Sequence, residues 1–126
     1  MIQPLFALRG TVQHGQHRGK RLGFPTMNFP LDKNIPEGIY LSQTTMREKT
    51  YNGLTFIGAA KTFNETNIFA ETYLLDFDQD VYGESVTVLL IKKLRDNKKF
   101  ESEEALISQM EEDKRQAELF FTTYSD

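Results

Sequence analysis

The segment 23–30 carries two neutral oxygen donors, Thr26 and Asn28, between the prolines Pro25 and Pro30. Because side chains alternate along an extended backbone, residues two positions apart project from the same face. Mg²⁺ takes few protein ligands of this kind and fills its remaining positions with water and phosphate oxygens. The pair therefore predicts a magnesium–nucleotide site. The alternative is two ordinary polar residues on the solvent face of a strand, and the pair taken alone favours that alternative.

A glycine-rich basic loop precedes this segment and contains Gly15, Gly19 and Lys20. Its spacing is one residue shorter than a Walker A motif, and Arg21 stands where a serine or threonine should follow the lysine. The loop also leads into an extended segment and not into a helix, which argues against a P-loop NTPase. Backbone N–H groups near the glycines, together with the Lys20 ammonium, could still bind a polyphosphate.

A single carboxylate, Glu71, lies in a strongly strand-like segment. It shares its parity with Phe69, Tyr73, Leu75 and Phe77, so its face of the strand is otherwise apolar and aromatic. A carboxylate on such a face needs a partner or a cavity mouth. We interpret Glu71 as a candidate general base, with an edge-strand glutamate whose parity is displaced by one residue as the alternative.

Two cations, Arg95 and Lys98, stand just before Phe100. Charged residues at the end of a strand are usually solvated. A cation beside an aromatic side chain can also hold a ring system or a phosphate group. Both interpretations remain open at this point.

The composition limits the classes of function. The chain has 126 residues, which suits one domain spanning residues 1–126. Its net charge of −3 argues against nucleic-acid binding and against binding to an anionic membrane. With no cysteine and two histidines, disulfides and a structural zinc site are excluded. No apolar run approaches the ~20 residues of a membrane span, so we expect a cytoplasmic protein.

Six extended segments at regular spacing precede a helical pattern, which predicts an antiparallel barrel or sandwich with a C-terminal helix. The segments are 5–12, 24–29, 38–45, 51–58, 68–77 and 86–94, the last of them central. Gly10 indicates a bulge or a close approach in the first strand. A hairpin tip is expected at 47–49, with Asn52-Gly53 as a rival turn.

The helical pattern begins after Ser102, a good N-cap, and has Glu103 and Glu104 in its first turn. An apolar stripe then recurs at helical spacing and predicts one amphipathic helix packed on the barrel. Its members are Leu106, Met110, Ala117 and Phe120/Phe121.

Short motifs that follow one another along the chain resemble those of the riboflavin kinase (flavokinase) family. They are Gly10–Gly15, Gly19–Asn28 with its Pro-Thr-x-Asn signature, Gly38-Ile39-Tyr40, Ile57-Gly58, Ala70-Glu71-Thr72, Leu75-Asp76-Phe77, Val81–Glu84, Leu94-Arg95 with Phe100, and Gln109–Asp113. The chain is similar to the C-terminal module of bacterial bifunctional riboflavin kinase/FAD synthetases. It has no room for their nucleotidyltransferase domain, so we expect it to stop at FMN, with a fragment of a longer bifunctional protein as the alternative.

This resemblance implies a six-stranded antiparallel Greek-key barrel with a C-terminal helix. The implied reaction is transfer of the ATP γ-phosphoryl group to the ribityl 5′-hydroxyl of riboflavin, which gives FMN and ADP. It implies Mg²⁺ bound with ATP, no nucleic acid or membrane partner, and a monomer.

The resemblance also assigns site residues, each by its position in the matching motif. Glu71 matches the catalytic glutamate, and the Mg-ATP and metal positions match Thr26 and Asn28. Other nucleotide-side positions match Gly15, Gly19, Lys20 and Tyr82, whereas flavin-side positions match Arg95, Lys98 and Phe100.

Three residues depart from the family pattern: Met27 replaces the usual alanine, Lys20 a common arginine, and Lys61 a common proline. The last departure motivates an alternative function, a flavin- or nucleotide-binding barrel without catalysis. A small barrel that binds single-stranded nucleic acid is a third possibility, weakened by the acidic charge balance.

Overall fold

The computed structural model describes residues 3–13, 26–31, 34–59, 68–77, 79 and 81–124. Within these ranges the chain forms six strands and one helix. They are β1 (Phe6–Thr11), β2 (Met27–Pro30), β3 (Gly38–Met46), β4 (Lys49–Ala59), β5 (Ile68–Leu74), β6 (Ser85–Arg95) and α1 (Glu103–Tyr124). The predicted fold class, mostly β with a C-terminal helix, is confirmed.

All strand pairs are antiparallel, and their order in the sheet is β1-β6-β3-β4-β5-β2. The two outer strands of this order, β1 and β2, come together and nearly close the sheet into a barrel. Just beyond β1, the Gln13 N–H donates to the Asn28 carbonyl oxygen at 2.8 Å. Near closure leaves few unpaired backbone groups at the sheet edges.

The barrel interior is filled by the chain's own side chains. On β5 the inner face carries Ala70, Thr72 and Leu74, all buried. A buried chain of hydroxyls crosses three strands: Thr55 donates to Ser42 at 2.8 Å, and the Thr55 and Thr72 oxygens also lie 2.8 Å apart. Because these hydroxyls satisfy one another, the polar layer can stay within an otherwise apolar core. Ligand binding therefore belongs to the outer face or the ends of the barrel.

Helix α1 packs on the outer face of the barrel and forms a second core there. Ala117 and Phe121 of the helix pack with Ile39, Leu41 and Leu54 of the sheet. The predicted N-cap is present, since the Ala105 N–H donates to the Ser102 hydroxyl at 3.1 Å. Among the described residues, no helix is long and apolar enough to cross a membrane.

The predicted end of the fifth strand was wrong, and the alternative turn left open at Asn52-Gly53 is decided by the structure. The fifth strand was expected to reach Phe77 but ends at Leu74, because Asp76 adopts a left-handed conformation with φ 55° and begins a turn. The rival turn at Asn52-Gly53 does not form, since both residues lie inside β4. A Cβ on Gly53 would lie 2.2 Å from the Tyr73 carbonyl oxygen, so this glycine serves the close approach of β5.

The predicted hairpin tip is shorter than expected. Arg47 and Glu48 form it alone, both with positive φ (51° and 66°), and Lys49 already belongs to β4. Two consecutive left-handed residues match the twist of a two-residue β-hairpin.

The predicted close approach at Gly10 is confirmed, and it lies where β1 meets β2. A Cβ on Gly10 would lie 2.4 Å from Phe29 Cδ2 and 2.8 Å from Phe29 Cγ, and Phe29 is fully buried. The absent side chain therefore lets the Phe29 ring fill the core at the point of closure.

Gly10→Ala should lower the free energy of unfolding by about 1–3 kcal/mol, because the new methyl group overpacks the core against Phe29. Chemical denaturation measures this change. Arg9→Ala, on the exposed face of the same strand, is the matched control and should have little effect. The double variant Gly10→Ala/Phe29→Leu should lose less unfolding free energy than the sum of the losses in the two single variants. Strictly additive costs would show that the two residues do not interact.

Candidate active site

Three sequence-predicted site residues come together, namely Thr26 just before β2, Asn28 in β2 and Glu71 in β5. The Thr26 hydroxyl donates to Glu71 Oε1 at 2.7 Å. Asn28 and Glu71 are directly opposed partners in the antiparallel pairing of the two strands. Directly opposed residues point to the same side of a sheet, so the hydroxyl, the carboxamide and the carboxylate form one cluster of oxygen donors.

The structure adds the direction of the Glu71 face, which the sequence pattern left open. Glu71 shares one face of β5 with aromatic side chains, as predicted. This face is directed outward, whereas Ala70, Thr72 and Leu74 face the core. Glu71 is half-buried on the outer face, beside Thr26 and across from Phe56. A carboxylate is easier to accommodate there than in the interior, because a hydroxyl and solvent both reach it.

A single row of opposed residues crosses five strands on the outer face of the barrel. It runs from Asn28 through Glu71, Phe56 and Ile39 to Arg95. With roughly 4.8 Å between neighbouring strands, Glu71 and Arg95 are about 14 Å apart along the sheet surface. The row links the oxygen cluster at one side to the predicted flavin-side residues at the other.

Two register shifts in the β3–β6 pairing put Arg95 into this row. One lies between Leu41 and Ser42, the other between Ile39 and Tyr40. Unbroken pairing from Ser42↔Leu90 would place Arg95 opposite Glu37, whereas the shifts bring it opposite Ile39. Each extra residue disrupts the ladder locally and increases the twist, as β-bulges do.

Tyr82 lies near the same edge of the barrel as Asn28. It is 57% exposed and belongs to a turn in which Gly83 has a positive φ of 84°. The Gly83 N–H donates to the Val12 carbonyl oxygen at 2.9 Å, and Val12 precedes the Gln13 that bonds to Asn28. Backbone hydrogen bonds thus tie the Tyr82 turn to the oxygen cluster. A side-chain ion pair between Glu84 and Arg47 anchors the turn to the hairpin tip.

Two of the three predicted flavin-side residues line an open groove of about 990 Å³ between the segment 98–101 and the first turns of α1. Lys98 and Phe100 line it, with Gln109, Glu112 and Arg115 among the helix residues. Arg95 Cζ lies 5.9 Å and Lys98 Nζ 5.8 Å from the centre of the Phe100 ring. Both distances fall within the range of cation–π contacts.

The sequence analysis gave no role to Asp113, which the structure brings to this region. Its carboxylate accepts from Arg95 Nε at 2.9 Å and from Arg95 Nη2 at 2.7 Å. The signal was present in the pattern, because Asp113 falls on the apolar stripe of α1 between Met110 and Ala117. An acid on the buried face of a helix needs a partner across the packing interface.

The glycine-rich loop with Gly15, Gly19 and Lys20 lies outside the described residues, as does Lys61. Their predicted roles stay predictions. Among the described residues, no group of three or more histidine, cysteine, aspartate or glutamate side chains could hold a metal ion. The oxygen cluster is instead a set of one hydroxyl, one amide and one carboxylate, which suits a hard cation that keeps water and phosphate ligands.

Comparison with known proteins assigns the chain to a family. The flavokinase model, described as riboflavin kinase, matches residues 3–121. The bifunctional riboflavin kinase/FMN adenylyltransferase of Bacillus subtilis is 36% identical over 126 residues, covering 95% of this chain and 40% of that protein. The trifunctional protein RibF/MnmA of Mycoplasmoides gallisepticum is 40% identical over 119 residues, covering 92% of this chain and 18% of that protein.

The fold is also that of a solved structure, riboflavin kinase from Trypanosoma brucei. The TM-score is 0.64 at 24% identity, covering 94% of this chain and 80% of that one. The present chain thus spans less than half the length of the two bacterial relatives and most of the trypanosome chain. Because the family model covers almost every residue, from β1 to the last turns of α1, the chain belongs to the flavokinase family.

Proposed function

We propose that this chain is a riboflavin kinase that transfers the ATP γ-phosphoryl group to the ribityl 5′-hydroxyl of riboflavin, giving FMN and ADP. The observation that carries the proposal is the Thr26–Glu71 hydrogen bond with Asn28 directly opposite Glu71. Membership of the flavokinase family supports the same reaction. We also propose a cytoplasmic monomer with no nucleic-acid or membrane partner.

Glu71 is the proposed general base. Its Oε1 accepts from Thr26, so the carboxylate is held in one orientation and Oε2 is left to accept the proton of the ribityl hydroxyl. The oxygen of that hydroxyl then attacks the γ-phosphorus in line. The bond between the γ-phosphorus and the β–γ bridging oxygen breaks, and ADP leaves with that oxygen.

Thr26 and Asn28 are the proposed ligands of Mg²⁺ brought by ATP. When bound, the metal would neutralise phosphate charge and help to align the transferred group. Thr26 can serve both partners, because its proton goes to Glu71 while its oxygen lone pairs remain available to a cation. Lys20 and the backbone around Gly15 and Gly19 are proposed to bind the polyphosphate, and Tyr82 to contact the nucleotide.

The groove beside Phe100 is the proposed site of the isoalloxazine ring, with Lys98 and Arg95 beside the same aromatic side chain. In this arrangement the ribityl chain spans the distance between this groove and Glu71; it passes beside Ile39, which lies in the row between them but is buried beneath α1. An extended substrate with a ring at one end and a hydroxyl at the other fits the separation of the two halves.

Glu71→Gln should lower kcat for FMN formation by about 10²-fold or more, because the amide cannot accept the proton. The amide oxygen can still accept the Thr26 hydroxyl, so the fold and the KM for ATP should be retained. FMN formed from riboflavin, ATP and Mg²⁺ is measured by chromatography. Glu118→Gln, on the exposed face of α1, is the matched control. An unchanged kcat would remove Glu71 from its role.

The wild-type protein tests the proposal itself in the same assay. Absence of FMN with every nucleotide and metal tried would contradict the kinase function. Retained binding of flavin or nucleotide by that inactive protein would favour the binding module without catalysis.

Thr26→Val should raise the KM for MgATP and the Mg²⁺ concentration needed for half-maximal activity by about tenfold, the effect of losing one contact to a charged group. Thr26→Ser keeps the hydroxyl and should stay close to wild type, and removal of the metal by a chelator should abolish turnover. Initial rates over a Mg²⁺ titration provide the measurement. If the valine and serine variants share one Mg²⁺ dependence, the assignment of Thr26 to the metal is wrong.

A further inference from the structure

Asp113 interrupts the buried stripe of helix α1. The stripe otherwise contains Leu106, Met110, Ala117 and Phe121, and the side chain of Asp113 is only 6% exposed. Taking an ionised carboxylate out of water is costly unless charge and hydrogen bonds compensate it. The contacts that compensate the Asp113 carboxylate are therefore important for the packing of α1 on the barrel.

Hydrogen-bond donors from both the barrel and α1 compensate the Asp113 carboxylate. From the end of β6, the Arg95 guanidinium binds both carboxylate oxygens in a bidentate pair. From one turn earlier in α1, Gln109 Nε2 donates to Asp113 Oδ1 at 3.0 Å. Three N–H donors therefore reach one carboxylate, and the bidentate geometry fixes the plane of the Arg95 guanidinium.

The Arg95 guanidinium therefore makes most of its hydrogen bonds within the chain. Its Nε and Nη2 bind Asp113, and its Nη1 donates to the Asp96 carbonyl oxygen at 3.0 Å. Three of its five N–H donors are thus used within the chain. Toward the groove, Arg95 contacts Phe100, whose ring centre lies 5.9 Å from Arg95 Cζ.

Among the described residues, two other contacts attach the segment that carries Phe100 to the barrel, an exposed ion pair between Asp96 and Lys93 of β6 and a hydrogen bond from Asn97. Asn97 Nδ2 donates to the Ile57 carbonyl oxygen at 3.3 Å. Phe100 and Gln109 both line the groove. The Asp113–Arg95 pair therefore joins the helix wall of the groove to the aromatic wall opposite it.

We propose that Asp113 is a positioning residue of the flavin groove, acting through Arg95 to hold the Phe100 ring against which the isoalloxazine ring binds. This inference rests on the proposed function for its substrate, and it assigns Arg95 to orienting the aromatic wall. Gln109 supports the same carboxylate from within the helix.

The first test separates substrate positioning from general stability. Asp113→Asn keeps the size of the side chain but puts an amide group where Arg95 expects a second carboxylate oxygen. The KM for riboflavin should rise about tenfold, whereas kcat and the KM for ATP should stay near wild type. Asp96→Asn is the matched control, since Asp96 is an 88% exposed carboxylate paired with Lys93 in the same segment. An unchanged KM for riboflavin, or a fall in kcat and melting temperature alone, would overturn the proposal.

Arg95→Lys provides a second variant in case Asp113→Asn does not fold. It retains the positive charge beside Asp113 but loses the fork that binds both oxygens. It should also raise the KM for riboflavin selectively. A KM equal to that of wild type in this variant contradicts the positioning role.

The second test needs no activity. The chain contains no tryptophan, so Phe100→Trp introduces a single tryptophan on the aromatic wall, which can be excited separately from the five tyrosines. In that background Asp113→Asn should shift the emission maximum to longer wavelength and lower the fluorescence anisotropy, both measured well below the melting temperature. Asp96→Asn should change neither. Identical emission and anisotropy with and without Asp113→Asn would overturn the proposal. If the wild-type protein forms no FMN, the proposed function fails, and this comparison alone decides whether Asp113 positions the ring.

Discussion

The closure of the barrel between β1 and β2 is the constraint on which the rest of the structure depends. Gly10 gives the Phe29 ring its place in the core, and the Gln13 N–H reaches the Asn28 carbonyl oxygen just beyond it. The same strand, β2, pairs with β5 and brings Asn28 opposite Glu71. A contact that completes the hydrophobic core therefore also fixes one side of the oxygen cluster. Packing and chemistry share this short strand, which is four residues long.

A filled interior explains why the candidate site lies outside the barrel. Tyr40, Phe29, Leu8 and the buried hydroxyl chain occupy the space within, and a barrel of this size holds little besides its own side chains. The outer face offers a different surface. Part of it is covered by α1, which packs on Ile39 and supplies the second core, whereas Glu71 is half-buried on the same face.

Local patterns predicted the elements well because alternation and capping are local properties. Six strands, the capped helix and the close approach at Gly10 all follow from them, as does the resemblance that places the chain in its family. Alternation does not reveal which face turns inward, so the aromatic face of β5 was assigned without its outward direction. The end of β5 at Leu74 depends on the left-handed Asp76, a conformation that the residue type permits without requiring.

The residues of the candidate site that belong to a sequence motif could be predicted from the sequence. Residues that join the site only through tertiary contacts could not. Thr26, Asn28 and Glu71 converge as a strand pairing of this kind allows. The carboxylate of Asp113 was missed because its meaning depends on Arg95, 18 positions earlier and on another element. Neither residue alone shows that the two meet across a helix–sheet interface.

The two extra residues in β6 have a consequence for how the site can change size. Across the sheet, the separation of the two halves is fixed in units of strand spacing, because Glu71 and Arg95 belong to strands three steps apart. Along the strands it is set by register, and each bulge moves Arg95 by one residue relative to β3, or roughly 3.3 Å. A slip that removed one bulge would turn the Arg95 side chain to the opposite face of the sheet, whereas a slip that removed both would keep it on the outer face but move it by two residues, or about 6.6 Å, along β3. The distance between the two halves of the candidate site is then a property of strand register, adjustable in steps of two residues.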